Sequence, residues 1–158
     1  MIKINHVYVH PAFENGNKNL PYHTDKLIME PEERLRMAKW IVAVLAGAEH
    51  EGLNKPSWIR NGQEIKSAAF YKKYNVWHYH CGPEYDAAYP ADFQMTDSFL
   101  SENNYGRRGG EVYHYSKQGD AIIVIGYSRL HKPFPASGST GNPLRHRSST
   151  WQAAFPKK

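Results

Sequence analysis

Histidine and arginine are concentrated in the middle of this chain. The sequence contains 9 histidines, and those between residues 74 and 132 are His78, His80, His114 and His131. Imidazole titrates near neutral pH, so a histidine can exchange protons or bind a metal ion. The same stretch contains the pair Arg107-Arg108. These residue types favour either acid–base chemistry on an anionic substrate or metal binding.

Cleavage of RNA without a metal ion would use this set of residues directly. Such a reaction needs a base for the ribose 2′-hydroxyl, an acid for the leaving 5′-oxygen, and cations for the charge on the phosphorane. His131 or His114 would serve as the acid or help to activate the 2′-hydroxyl. The predicted catalytic residues are His78, His80, Arg107, Arg108, His114, Tyr115, Arg129 and His131.

The distribution of charge also favours a polyanionic partner. The formal net charge is +5, and no Asp or Glu follows Asp120. Such asymmetry is typical of a chain that binds a polyanion or an acidic protein. Tyrosines among the cations would supply stacking surfaces for unpaired bases. The predicted substrate-binding residues are Tyr113, Tyr127, Lys132, Arg145 and Arg147.

Metal binding is an alternative interpretation of the same histidines. Residues 78–84 read H-x-H-x3-E, a spacing that cupin barrels use. The glycines that usually frame that motif are missing, and a helix at 31–46 does not suit an all-β barrel. The preferred hypothesis therefore includes no metal ligand and no cofactor. A third interpretation is structural: strand histidines can line a half-buried face and serve no chemistry.

The elements that must position these residues follow from hydrophobic periodicity. Residues 2–9 are rich in β-branched side chains and predict a strand. Pro31, followed by two glutamates, predicts the start of a helix over 31–46. Its predicted apolar stripe is widened by Trp40 and Val44, and the stripe would pack against a sheet. That stripe comprises Leu35, Ala38, Ile41, Val42, Leu45 and Ala46.

The central stretch predicts strands around a long loop. Residues 74–81 predict a strand in which Trp77 and Tyr79 face one side and His78 and His80 face the other. Residues 112–115 predict the next strand, and residues 117–120 predict a hairpin turn. Residues 121–127 are apolar on both faces, as in a central strand. Residues 53–73 give no firm prediction.

Length and composition indicate one folded domain. A chain of 158 residues with 41% hydrophobic residues can bury a core. We expect a single α+β domain over 1–135 and a basic C-terminal tail over 136–158, which Trp151 and Phe155 would anchor. No apolar run approaches the roughly 20 residues that span a bilayer, and no signal peptide is expected. The single cysteine, Cys81, fits a cytoplasmic protein without disulfides.

The order of these elements resembles the RelE/ParE toxin superfamily, and within it the YafO branch of ribosome-dependent mRNA interferases. The motifs that carry the resemblance are W-H-Y-H-x-G at 77–82, an arginine-rich turn, V-Y-H-Y at 112–115 and I-I-V-I-G-Y-S-R-x-H at 122–131. The resemblance covers about residues 30–135. It implies an antiparallel sheet of about four to five strands, with an N-terminal helix or helices packed on one face.

The resemblance also implies an activity and partners. A member of this group would be the toxin of a toxin–antitoxin system, an endoribonuclease that cleaves mRNA on the ribosome and inhibits translation. A cognate antitoxin protein would neutralise it. Basic and aromatic catalytic groups of such toxins would fall on Arg107, Arg108, Tyr115, Arg129, His131 and Lys132. The alternatives are a non-catalytic module that binds nucleic acid or protein, such as a phage-encoded inhibitor, and a cupin-like metal enzyme.

Overall fold

The computed structural model describes residues 2–89, 91–131 and 140–155. In chain order the helices and strands are β1 (His6–Val9), α1 (Pro11–Glu14), β2 (Asn19–Leu20), β3 (His23–Thr24), α2 (Pro31–Leu45), β4 (Asn54–Pro56), β5 (Ile59–Arg60), β6 (Gln63–Glu64), α3 (Ala69–Lys73), β7 (Val76–His80), β8 (Val112–Gln118), β9 (Ala121–Ser128) and α4 (Pro143–Ser149). No helix in these ranges combines the length and the apolar character that crossing a membrane requires.

A five-stranded sheet forms the centre of this α+β fold, in the order β1-β9-β8-β7-β4. The prediction of a purely antiparallel sheet is wrong at one edge, where β1 runs parallel to β9. Backbone hydrogen bonds from the amides of Asn5 and His10 to the carbonyls of Asp120 and Val124 fix that direction. The other neighbours are antiparallel, and Gly119 (φ 60°) turns the predicted hairpin between β8 and β9.

Helix α2 matches its predicted range but is rotated relative to the predicted stripe. The side chains that it buries are Glu33, Met37, Trp40 and Val44. Trp40 and Val44, which widen the predicted stripe, are buried and Ile41 packs beside them, whereas Leu35 is 55% and Val42 is 66% exposed. The buried residues also recur at helical spacing, so periodicity alone predicts two possible faces. The sheet selects the face that carries the large aromatic ring.

Trp40 is the centre of the core between α2 and the sheet. Its ring stacks on Tyr79, with centroids 5.4 Å apart, and contacts Tyr113 at 4.9 Å and Tyr115 at 5.9 Å. The Tyr115 hydroxyl donates to Asn54 Oδ1 at 2.7 Å. The polar end of this tyrosine therefore has a partner inside the core, as burial requires.

The opposite face of the sheet carries α3 and α4. Tyr71 of α3 and Leu144 of α4 pack against Val76, Ile123 and Ile125. Residues 140–155, which the sequence places in a tail, thus contribute to the second core of the domain. Trp151 packs against this core and contacts Phe155, as expected of an anchor.

A bulge in β9 decides which residues lie on each face. His114 pairs with Gly126 and Tyr115 pairs with Val124, so Ile125 has no residue directly opposite it. An extra residue of this kind reverses which face of the sheet each following side chain of the strand points to. Tyr127 consequently faces α2, and Ser128 faces the side that carries His114.

Candidate active site: a histidine cleft

A cleft of about 1180 Å³ lies on the sheet face opposite α2. We call it the histidine cleft, because its lining brings together histidines from separate parts of the chain. The lining residues are Leu53, Lys55, Ser57, Ile59, Arg60, Asn61, Ile65, Tyr71, His78, His80, Glu84, Tyr85, Asp86, Arg108, Gly109, Gly110, His114 and His131.

Strand alternation and register account for the position of these imidazoles. His78 and His80 share one face of β7, as predicted, while Tyr79 faces α2. His78 lies directly opposite His114 of β8. The chain then returns along β9 and places His131 beside both β7 histidines. The ring centroid of His131 is 4.9 Å from that of His78 and 5.0 Å from that of His80.

Hydrogen bonds hold each strand histidine through one ring nitrogen. His78 Nδ1 lies 2.9 Å from Ser57 Oγ, and His80 Nδ1 lies 2.8 Å from the Gly109 carbonyl oxygen and 3.3 Å from the Gly109 amide nitrogen. The shorter contact favours Nδ1–H of His80 as the donor to the carbonyl. His114 Nε2 lies 2.8 Å from the hydroxyl of Ser128. That hydroxyl donates its hydrogen to the Tyr22 carbonyl, so His114 Nε2–H must be the donor.

Burial keeps the strand histidines neutral. It lowers the pKa of His80 to about 3, with the neighbouring His131 acting in the same direction. Burial also lowers the pKa of His78 and that of His114 well below the usual 6.5. His78 Nε2 is buried and has no hydrogen-bond partner among the described residues. At neutral pH these rings therefore offer lone pairs rather than charges.

Cations outnumber carboxylates around the histidines. Lys55, Arg60 and Arg108 line the cleft, against Glu84 and Asp86. Lys55 of β4 pairs in register with His78, and burial lowers the pKa of its ammonium. The Arg108 guanidinium lies 4.2 Å from the centroid of the Tyr89 ring.

Several predicted site residues lie outside the histidine cleft. The side chains of Tyr113, Tyr115 and Tyr127 are at most 1% exposed and belong to the core beneath α2. Arg129 binds the Glu33 carboxylate through two hydrogen bonds of 2.6 and 2.8 Å. Burial opposes the charge of Glu33, but the hydrogen bonds from Arg129 hold the pKa of this carboxyl below its usual range. These residues secure α2 to the sheet.

The other predicted cationic residues that the structure describes also lie outside the lining of the histidine cleft. Arg107 stacks over Phe93 at 4.2 Å and lies 3.9 Å from the carboxylate of Glu51. Arg147 is buried and binds Asp25 at 2.8 Å, and Arg145 is exposed on α4. Lys132 lies outside the described residues.

Sequence reasoning missed several polar residues of the cleft. Three of them, Lys55, Ser57 and Arg60, come from residues 53–73, for which the sequence supports no firm prediction. These residues carry no recognisable motif, and the short strands β4 and β5 are too brief for a periodic signal. Only the pairing of β4 with β7 brings Lys55 and Ser57 beside His78.

Comparisons with known proteins add no assignment. No family model, curated protein or solved structure matches the chain. The resemblance to the RelE/ParE superfamily therefore depends on the quoted motifs alone. The histidine cleft is the feature of the fold that bears on function.

Proposed function

We propose that the histidine cleft cleaves the phosphodiester backbone of RNA, and that the protein is a RelE-like toxin that acts on mRNA at the ribosome. The observation that carries this proposal is the convergence of His78, His80, His114 and His131 in one cleft with Arg108 and Lys55. Imidazoles suit the proton transfers of the reaction, and the cations suit the charge of the phosphorane.

The burial of each histidine suggests how the roles divide. His78 and His80 are each only 5% exposed, and burial keeps them unprotonated at neutral pH, so one of them would take the proton of the 2′-hydroxyl as a weak base. His131 is half-buried, so it is the imidazole that a substrate reaches most readily, and it would donate a proton to the leaving 5′-oxygen. Arg108 would hold the phosphate, and the aromatic rings near it would contact a base. Tyr115 and Arg129 have no part in this revised set.

RNA cleavage can be tested directly with purified protein. Labelled mRNA is incubated with and without ribosomes, in a buffer that contains a chelator. We expect cleavage by the wild type, and about 10²- to 10⁴-fold slower cleavage by His131→Ala. His6→Ala is the matched control, because the side chain of His6 is 57% exposed and lies at the start of β1. Induced expression of the wild type, but not of His131→Ala, should arrest translation.

Intact RNA in every condition would contradict the proposal. If the protein then bound RNA with a steep salt dependence, it would be a non-catalytic binding module. Equal cleavage by the wild type and by folded His131→Ala would remove the histidine cleft as the active site.

A further inference from the structure

Three of the cleft histidines have an arrangement that proton transfer does not require. His78, His80 and His131 each offer a ring nitrogen, and these nitrogens lie within 4.8 Å of one another. Three nitrogens bound to one tetrahedral Zn²⁺ at 2.0–2.1 Å are separated by about 3.4 Å. Movements of about 1 Å in the side chains would therefore bring all three onto one ion.

The outer hydrogen bonds of these rings favour the same arrangement. A histidine that ligates a metal usually donates its other ring N–H to an oxygen, which fixes the ring. His80 Nδ1 has the Gly109 carbonyl as such a partner, and His78 Nδ1 has Ser57 Oγ. With Nδ1 occupied in both rings, Nε2 is the nitrogen that remains for an ion.

The buried nitrogen of His78 is an independent indication of a ligand. His78 is 5% exposed, and its Nε2 has no hydrogen-bond partner among the residues described. A buried polar atom without a partner costs free energy, and an ion or a water bound at this nitrogen would remove that cost. Burial also keeps the ring neutral, which is the form that binds a metal.

We propose that His78, His80 and His131 bind one divalent transition-metal ion, with imidazole nitrogen as the protein ligand. Three protein ligands leave a fourth position for water or for an oxygen of a bound molecule, and that position would lie in the histidine cleft. Imidazole suits Zn²⁺, Cu²⁺, Ni²⁺ and Fe²⁺ rather than Mg²⁺ or Ca²⁺. An ion bound there would occupy ring nitrogens that the proposed RNA cleavage uses for proton transfer, so the metal-bound form would not cleave RNA by that route. The metal site is therefore tested separately from the proposed function.

The test uses untagged, chelator-treated protein and titration calorimetry with Zn²⁺. We expect one ion per chain, and a weakening of at least about 100-fold in His80→Gln and in His131→Ala. Ser57→Ala should weaken binding by about 10-fold, because it removes only the partner of His78. Titration with Co²⁺ should give the visible absorption of a tetrahedral site. Circular dichroism confirms that each variant is folded.

The control variant and the two assays separate the possible failures. His6→Ala should bind Zn²⁺ as the wild type does. Binding that is absent, or that is equally tight in folded His131→Ala and His80→Gln, would overturn the metal site. Stoichiometric binding by a protein that leaves RNA intact would support the metal site and contradict the proposed function. RNA cleavage in the presence of a chelator, by a protein that binds no Zn²⁺, would support the proposed function and contradict the metal site.

Discussion

Adjacent arginines in the sequence have different surroundings in the fold. Arg108 lines the histidine cleft, whereas Arg107 stacks over Phe93 and lies near Glu51. A dipeptide alone cannot distinguish two such positions, because consecutive side chains of an irregular segment can point in different directions. If RNA binds in the cleft as proposed, Arg108 would contact the substrate, whereas Arg107 would support the loop.

RNA binding by two single variants should show this difference. Arg108→Ala is expected to weaken binding of a labelled single-stranded RNA. It should also reduce the slope of log K against log salt by about 0.7, the value for one lost phosphate contact. Arg107→Ala is the matched control and should leave that slope unchanged. Fluorescence anisotropy at several salt concentrations measures both. An equal change of slope in the two variants would contradict the assignment.

Among the elements, α2 shows how tertiary packing chooses between two faces of one helix. The helix begins at Pro31 with a capping box between Glu30 and Glu33, as local sequence rules favour. Its buried face, however, has Glu33 at one end, because that carboxylate is paired with Arg129. A pattern of apolar residues gives a charged residue such as Glu33 no weight in a core. The predicted stripe was therefore right for Trp40 and Val44, which widen it, but wrong for Leu35 and Val42.

Two valines of α2 provide a test of that orientation. Val44 is 0% exposed and Val42 is 66% exposed. Val44→Ala should lower the free energy of unfolding by about 2 kcal/mol, since it removes buried methyl groups and leaves a cavity. Val42→Ala should change it by less than about 0.5 kcal/mol. Urea unfolding monitored by circular dichroism measures both. A larger loss in Val42→Ala would favour a buried face that contains Leu35 and Val42.

For the whole molecule, a buried ion pair connects the C-terminal segment to the N-terminal third. Arg147 of α4 and His23 of β3 both bind the Asp25 carboxylate, at 2.8 and 2.7 Å. Burial opposes the charge of Asp25, but hydrogen bonds from His23 and Arg147 lower the pKa of this carboxyl to about 2. Residues 140–155 are therefore joined to the domain by charge as well as by apolar contacts.

The stability of the domain should decrease in acid in two stages. Burial lowers the pKa of His10, His23 and His50, so below pH 6.5 the unfolded chain binds protons that the folded chain does not. The free energy of unfolding should then fall by up to about 1.4 kcal/mol per pH unit for each such group. Protonation of Asp25 should lower the free energy of unfolding further as the pH falls from 3.8 towards 2.

Urea unfolding between pH 7 and pH 2 measures this dependence. His50→Leu should reduce the loss between pH 7 and pH 5, because His50 lies against the rings of Trp40 and Tyr79 and its pKa is lowered by burial alone. A free energy of unfolding that stays constant from pH 7 to pH 5 would contradict the assigned burial of these histidines.

Local sequence determined some of the elements of this protein and the alternation of side chains along β7. The range of α2, the hairpin at 117–120 and the division of β7 into an aromatic face and a histidine face all follow from neighbouring residues. Such features depend on backbone geometry within one element. They could therefore be predicted without knowledge of the rest of the chain.

Only the tertiary structure decided which groups share a site. His131 reaches His78 and His80 because β9 returns beside β8, and the bulge at Ile125 turns Tyr127 towards α2. The pairing of β4 with β7 adds Lys55 and Ser57, and the contact with Glu33 keeps Arg129 on the other face. These contacts join residues that are far apart in the chain. They depend on strand pairing and on one inserted residue in β9, so a local sequence pattern cannot predict them.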